Sequence, residues 1–174
     1  EALQAMLEAR EIVLRRRFEA AIDDLSQARD RLGRDQEAGA AGRFGESASR
    51  ATGETTEIAA AFRDIRLEFG NNDLLTPELE ARLVGQIAEP LETLAQGDLP
   101  GLAAACRAAA ADGGAVGRRA DEVLARMRAV LARMMELESF NEVIERLRAV
   151  IRTQEEIRAE TLRRQKERAR EALE

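Results

Sequence analysis

The sequence predicts an all-α fold: an antiparallel bundle of about four helices with a long two-helix coiled-coil extension. Three observations carry that prediction. Charged residues make up 34% of the chain and apolar residues 45%, dominated by Ala, Leu, Glu and Arg, which is the composition of long helices and bundles. Apolar residues recur at a three–four spacing. The last sixty residues, from about Ala115 to Glu174, hold no proline and no glycine beyond Gly117, so one very long helix is expected there. At 174 residues the chain fits a single domain, 1–174, large enough to bury a core.

The first helix is expected from about Ala2 to Gln36. Leu7, Leu14, Phe18, Ala21, Leu25, Ala28 and Leu32 form its stripe, widened by Ile22. Arg10 and Glu11 interrupt that face, so the start should be frayed or dependent on a partner. Gly39, Gly42 and Gly45 mark a flexible loop. The second helix is expected from about Ser47 to Phe69, with Thr55, Ile58, Phe62, Ile65 and Phe69 in line. Gly70, Asn71 and Asn72 supply its stop.

The third helix has the clearest start, with Thr76 as cap and Pro77 at the first helical position. Leu79, Leu83, Ile87, Leu91 and Leu94 share a face. Pro90 cannot donate a backbone hydrogen bond, so a kink is expected there. Gly97 should end the segment, and Asp98 with Pro100 should restart a short helix through the Ala-rich run 102–111. Small side chains in that run admit a close neighbouring backbone. Gly113 and Gly114 are read as the last turn.

The fourth helix carries Val123, Met127, Val130, Met134, Leu137, Ile144, Leu147 and Ile151 as a seam, broadened by Phe140, Val143, Val150 and Ile157. Beyond Ile157 only Leu162 and Leu173 are strongly apolar. At 1.5 Å per residue this helix is roughly 80 Å long. Short connections make neighbours antiparallel, so the start of the first helix should pair with the later part of the fourth. Phe62 and Leu137 are the expected core positions of the bundle.

Several function classes are closed by composition. The chain has no His, which removes Ser-His-Asp and Cys-His catalysis and the usual His-containing metal sites. No catalytic, cofactor-binding or metal-binding residue is assigned, and no cofactor is expected. The chain therefore reads as not an enzyme. Cys106 stands alone, so no internal disulfide is available, and it reads as a small apolar residue in the Ala-rich helix. The net charge of −6 and a pI near 5.0 argue against a nucleic-acid partner. The glycines at 39–45 lack the Gly-Lys-Ser/Thr ending of a phosphate loop.

Glu155, Glu156 and Glu160 alternate with Arg152, Arg158 and Arg164, as ion pairs on a wet helix do. The tail from Arg158 to Glu174 carries six cations against Glu160, Glu167, Glu171 and Glu174, a local excess of two that reads as a solvated face. Met127, Met134 and Met135 are either core filling or an adaptable binding face. Asn141 lies near the seam, where it could set register or simply face water.

No stretch approaches the roughly 20 apolar residues of a membrane span. The chain begins with Glu1 inside a helical pattern and is expected to be a piece of a longer protein. The stretch Met135-Glu-Leu-Glu-Ser-Phe-Asn-Glu-Val-Ile-Glu-Arg-Leu-Arg-Ala-Val-Ile-Arg-Thr-Gln-Glu-Glu-Ile, continuing to Arg163-Arg-Gln-Lys-Glu, resembles a segment of large uncharacterised bacterial proteins of planctomycete type. Those combine membrane-spanning parts with long helical regions. The resemblance implies no activity and no catalytic residues. It implies a domain of a membrane-associated protein, tethered through flanking sequence.

Two functions are expected from these readings. One is a helical scaffolding or protein-interaction domain that binds a protein partner or itself. The other is a ligand-sensing bundle with a pocket between helices two, three and four beside Pro90.

Overall fold

A computed structural model describes residues 2–34, 39–108 and 113–171. The expected end of the first helix at Gln36, the end of the Ala-rich run at 109–111 and the last residues 172–174 lie outside the described residues. The fold is all-α: a bundle of four antiparallel helices whose last helix continues into a long extension. The helices are α1 (Ala2–Arg34), α2 (Ala40–Asn71), α3 (77–108) and α4 (Gly113–Glu171). By contacts the chain divides into two units, Glu1–Glu138 and Ser139–Glu174.

Cross-helix pairs fix the direction of each neighbour in the first unit. Arg10 binds Glu68, and Arg17 binds Glu54 and Glu57, so α2 runs against α1. Arg66 binds Glu80 and Arg63 binds Glu92, so α3 runs against α2. Arg126 of α4 meets Asp98 of α3. The ring closes where Arg29 meets Asp121 and Arg15 meets Glu138. Partly exposed pairs of this kind contribute about 0–1 kcal/mol each. They set register, and the core supplies the stability.

That core takes in the stripes read from the spacing and adds residues outside them, among them Phe44 from the stretch expected to be a loop. Phe18, Phe44, Phe62, Ile58, Ile65, Leu83, Ile87 and Leu91 are fully buried, each contributing about 1.5–3 kcal/mol. Phe62 and Leu137 are both 1% exposed, as the apolar seams require. From α4, Val123, Met127, Val130, Met134 and Leu137 join them.

Four local expectations are corrected. The start of α1 is packed, because Leu7 is completely buried and Glu11 is buried beside it, while Arg10 turns out of the seam to reach Glu68 at 2.6 Å. Gly42 and Gly45 belong to α2, which begins at Ala40. Of these three glycines only Gly39 takes the left-handed backbone, with φ 95°, a conformation that costs glycine little. Likewise Gly113 and Gly114 are the first turn of α4 and not a turn before it.

The fourth correction concerns α3. Thr76 caps it as expected, its Oγ1 accepting the Leu79 N–H at 3.2 Å, worth about 1 kcal/mol. The helix then continues through both later prolines and through Gly97. Two stretches of wider π-helical turn make this possible, Ala81–Ala88 and Leu94–Asp98. At the end of the first, the Glu89 N–H bonds the Val84 carbonyl, five residues back. At the end of the second, the Leu99 N–H bonds the Leu94 carbonyl in the same way. Pro90 and Pro100 follow immediately. A proline ring clashes with the carbonyl four residues back and cannot donate to it. A turn wound wider just before the ring relieves the clash, so neither proline breaks the helix.

The second unit is described by itself. It is helical through Glu171, and its described side chains from 146 to 168 are exposed, including the described part of the tail that begins at Arg158.

Candidate functional site

Two features of this fold can engage another molecule. The first is a groove between α3 and α4, of about 620 Å3. Gly85, Gln86, Pro90, Leu94, Ala129 and Val130 are among the residues that line it. The ion pair between Arg126 and Asp98, at 2.6 Å, and Arg133 are the charged groups on its lining. The ligand-sensing expectation requires a pocket between helices two, three and four beside Pro90, and Pro90 is among the residues that line this groove. It is built from α3 and α4, with no lining residue from α2. Gly85 lies in the wide turn of Ala81–Ala88 and lines the groove, and it has no heavy atom within 4 Å of where a Cβ would stand.

The second feature is the far part of α4. Ten large apolar side chains are exposed among the described residues, and six of them lie between 143 and 162: Val143, Leu147, Val150, Ile151, Ile157 and Leu162. At 3.6 residues per turn the first five project within an arc of about 120°. This is the width of a core-facing stripe on a helix that has a partner. Ile144 and Phe140 are partly buried and extend the stripe toward its start.

Other candidate groups resolve into packing. Cys106 is buried. Burial raises its thiol pKa above the ordinary value, opposed by a backbone hydrogen bond and the charge of Arg107. The neutral thiol is therefore favoured, which suits a packed side chain and not a nucleophile. Gly45 packs against it: a Cβ built on Gly45 would stand 3.0 Å from the Cys106 Cβ. Met127 and Met134 fill the core, while Met135 faces solvent. Asn141 is half-buried. Glu160 pairs with Arg164 on its own helix at 2.9 Å. Among the described residues no group of three or more acidic or Cys side chains is placed to hold a metal. No described helix is long and apolar enough to cross a membrane.

Thr55 lies in the stripe where its spacing put it, but spacing gave no account of its hydroxyl. Thr55 is completely buried, and its hydroxyl has no hydrogen-bond partner among the described residues. Its neighbours behave differently, since Thr52 and Thr56 each donate to the carbonyl four residues back. A threonine at a stripe position was the signal available.

Comparison with known proteins returns no matching family, no matching curated protein and no matching solved structure.

Proposed function

We propose that this chain is a non-enzymatic helical scaffolding or protein-interaction domain of a larger bacterial protein. The bundle anchors α4, and the far part of α4 presents an apolar stripe on which a helix of another chain docks. The observation that carries this reading is the concentration of exposed large apolar residues at 143–162. A soluble helix with no partner has no reason to keep Val150, Ile151 and Ile157 on one face, because their exposure opposes solubility. Two-stranded pairing of such helices is a coiled coil, and pairing buries the stripe.

The test separates docking from folding. Truncation before Glu160 should leave the melting temperature of the bundle nearly unchanged, because residues 160–168 are exposed. A large drop would sink the reading, since these residues would then be part of the fold's own support.

The groove beside Pro90 favours a second reading, a bundle that senses a small ligand by displacement of helices. Its volume of about 620 Å3 falls within the range of ligand pockets, and its wall is a stretch of wide helical turn, a feature that recurs at functional sites. A thermal-shift screen of apolar metabolites carrying one charged group is the check. No stabilisation by any of them would remove this reading.

A further inference from the structure

The groove between α3 and α4 has a continuation. A second cavity, of about 340 Å3, has Arg118, Arg119 and Glu122 in its lining and shares Asp98 and Arg126 with the groove. The ion pair between those two shared residues marks the junction. On the α4 side Arg119, Arg126 and Arg133 recur every seven residues, so they follow one border of the two cavities about two turns apart. The ends differ in chemistry. The groove proper is apolar at Pro90, Leu94, Ala129 and Val130, and its continuation is rich in arginine.

Over both cavities four cations, Arg118, Arg119, Arg126 and Arg133, outnumber two acids, Asp98 and Glu122, although the chain as a whole carries −6. Two of the cations are matched, Arg126 by Asp98 at 2.6 Å and Arg133 by Glu136 at 2.7 Å. Arg118 and Arg119 make no ion pair among the described residues. A guanidinium nitrogen of Arg119 lies 2.7 Å from where a Cβ on Gly101 would stand. Arg119 therefore reaches from α4 to α3 over a residue with no side chain to obstruct it. Uncompensated positive charge at one end and apolar surface at the other complement a molecule with an anionic head and an apolar chain. From Arg119 to Val130 the helix rises about 16 Å, a span that a dodecyl chain covers.

We propose that the groove and its continuation bind one free long-chain carboxylate, with the chain along Pro90, Leu94, Ala129 and Val130 and the head beside Arg118 and Arg119. This rests on the reading of the groove as a ligand site, and it names the ligand class. The head passes Arg126 because Asp98 already matches that charge. A guanidinium gives a carboxylate charge-assisted hydrogen bonds. Each CH2 moved from water to an apolar lining tightens binding about fourfold. One apolar channel ending in one cationic recess suits a single chain with a single head.

Titration calorimetry of the full chain with octanoate, decanoate and dodecanoate, each below its micelle concentration, is the test. One site should appear, and affinity should rise about tenfold with each pair of added carbons. Dodecanol and dodecyltrimethylammonium should bind about tenfold more weakly than dodecanoate, or worse. Arg118→Gln combined with Arg119→Gln should weaken dodecanoate about tenfold and leave dodecanol unchanged. Ala129→Phe fills the channel and should weaken both. All three positions are exposed, so neither variant should shift the melting temperature. Dodecanoate binding indifferent to both variants overturns the proposal, since the site then lies elsewhere, as on the exposed stripe at 143–162. Binding to phosphatidylglycerol vesicles without binding of monomeric dodecanoate also overturns it, in favour of a membrane surface. Preference for the alcohol or the cation removes this proposal alone and leaves the groove a ligand site. If no amphiphile binds, the proposal falls; if the thermal-shift screen is empty as well, the ligand-site reading falls with it.

Discussion

Gly45 of α2 lies so close to Cys106 of α3 that a Cβ built on the glycine would stand 3.0 Å from the Cys106 Cβ. The opposing atom is attached directly to a helix backbone, so it cannot swing aside as the end of a long side chain does. The two helices therefore leave little room at this point for a side chain on residue 45. The same helix holds Gly53, where a new Cβ would meet nothing within 4 Å.

These two glycines make a matched test. Ala is favoured over Gly in a helix by about 1 kcal/mol. Gly53→Ala should gain that amount and raise the melting temperature. Gly45→Ala should lose about 1–3 kcal/mol from forced separation of α2 and α3, outweighing the gain in propensity. Thermal melts of the two variants decide it. Equal stabilisation by both would show that α2 and α3 are not in close contact.

Thr55 should respond in the opposite sense to most core substitutions. Its hydroxyl is buried without a partner, which costs about 1–3 kcal/mol of lost hydration. Val has nearly the same shape and no hydroxyl. Thr55→Val should therefore stabilise the bundle by about 1 kcal/mol or more, seen as a higher denaturation midpoint with an unchanged slope. A loss of stability would mean that the hydroxyl is hydrogen-bonded in solution.

Core truncation should behave conventionally. Phe62 and Leu137 are 1% exposed, and both sit in the first unit. Phe62→Ala should cost about 3–5 kcal/mol and Leu137→Ala about 2–5 kcal/mol. In contrast, Val150→Ala and Ile157→Ala should leave the bundle's melting temperature nearly unchanged, because those side chains are exposed. Chemical denaturation measures all four. A cost at Ile157 comparable to that at Leu137 would contradict the division of α4 between core and docking surface.

The parts legible in the sequence were those written as period. The stripes from Leu7 to Leu25, Ile58 to Phe69 and Val123 to Leu137 all reach the core, because burial of a continuous seam overrides most local preferences. Punctuation was less legible. Gly42, Gly45, Gly97 and Gly113 read as breaks, yet each lies within a helix. Packing held those turns, and Gly45 is there for closeness and not for freedom. Pro90 read as a kink, and Pro100 with Asp98 as the restart of a short helix. Wider turns ending at Glu89 and Leu99 absorb both, and no one-dimensional pattern announces a change of pitch. The groove followed from that change. Which helices line it depended on how α4 packs against α3.

Electrostatics supplies a last prediction. Arg63 holds Glu92 with two parallel bonds, Nε to Oε1 at 2.8 Å and Nη2 to Oε2 at 2.9 Å. Those hydrogen bonds lower the Glu92 pKa below the ordinary glutamate range, with burial opposing and the Arg63 charge assisting. A carboxylate with a depressed pKa in the folded state binds its proton more readily when unfolded. Its contribution to stability is thus complete above the unfolded-state pKa and is lost as pH falls through the folded one. Glu92→Gln removes that dependence while keeping shape. The difference in melting temperature between the unsubstituted chain and Glu92→Gln should be largest near neutral pH and should close as pH falls below the usual glutamate range. Taking the difference cancels the titration of every other carboxylate common to both proteins. A gap that widens on acidification would show that Arg63 and Glu92 are not paired in the folded chain.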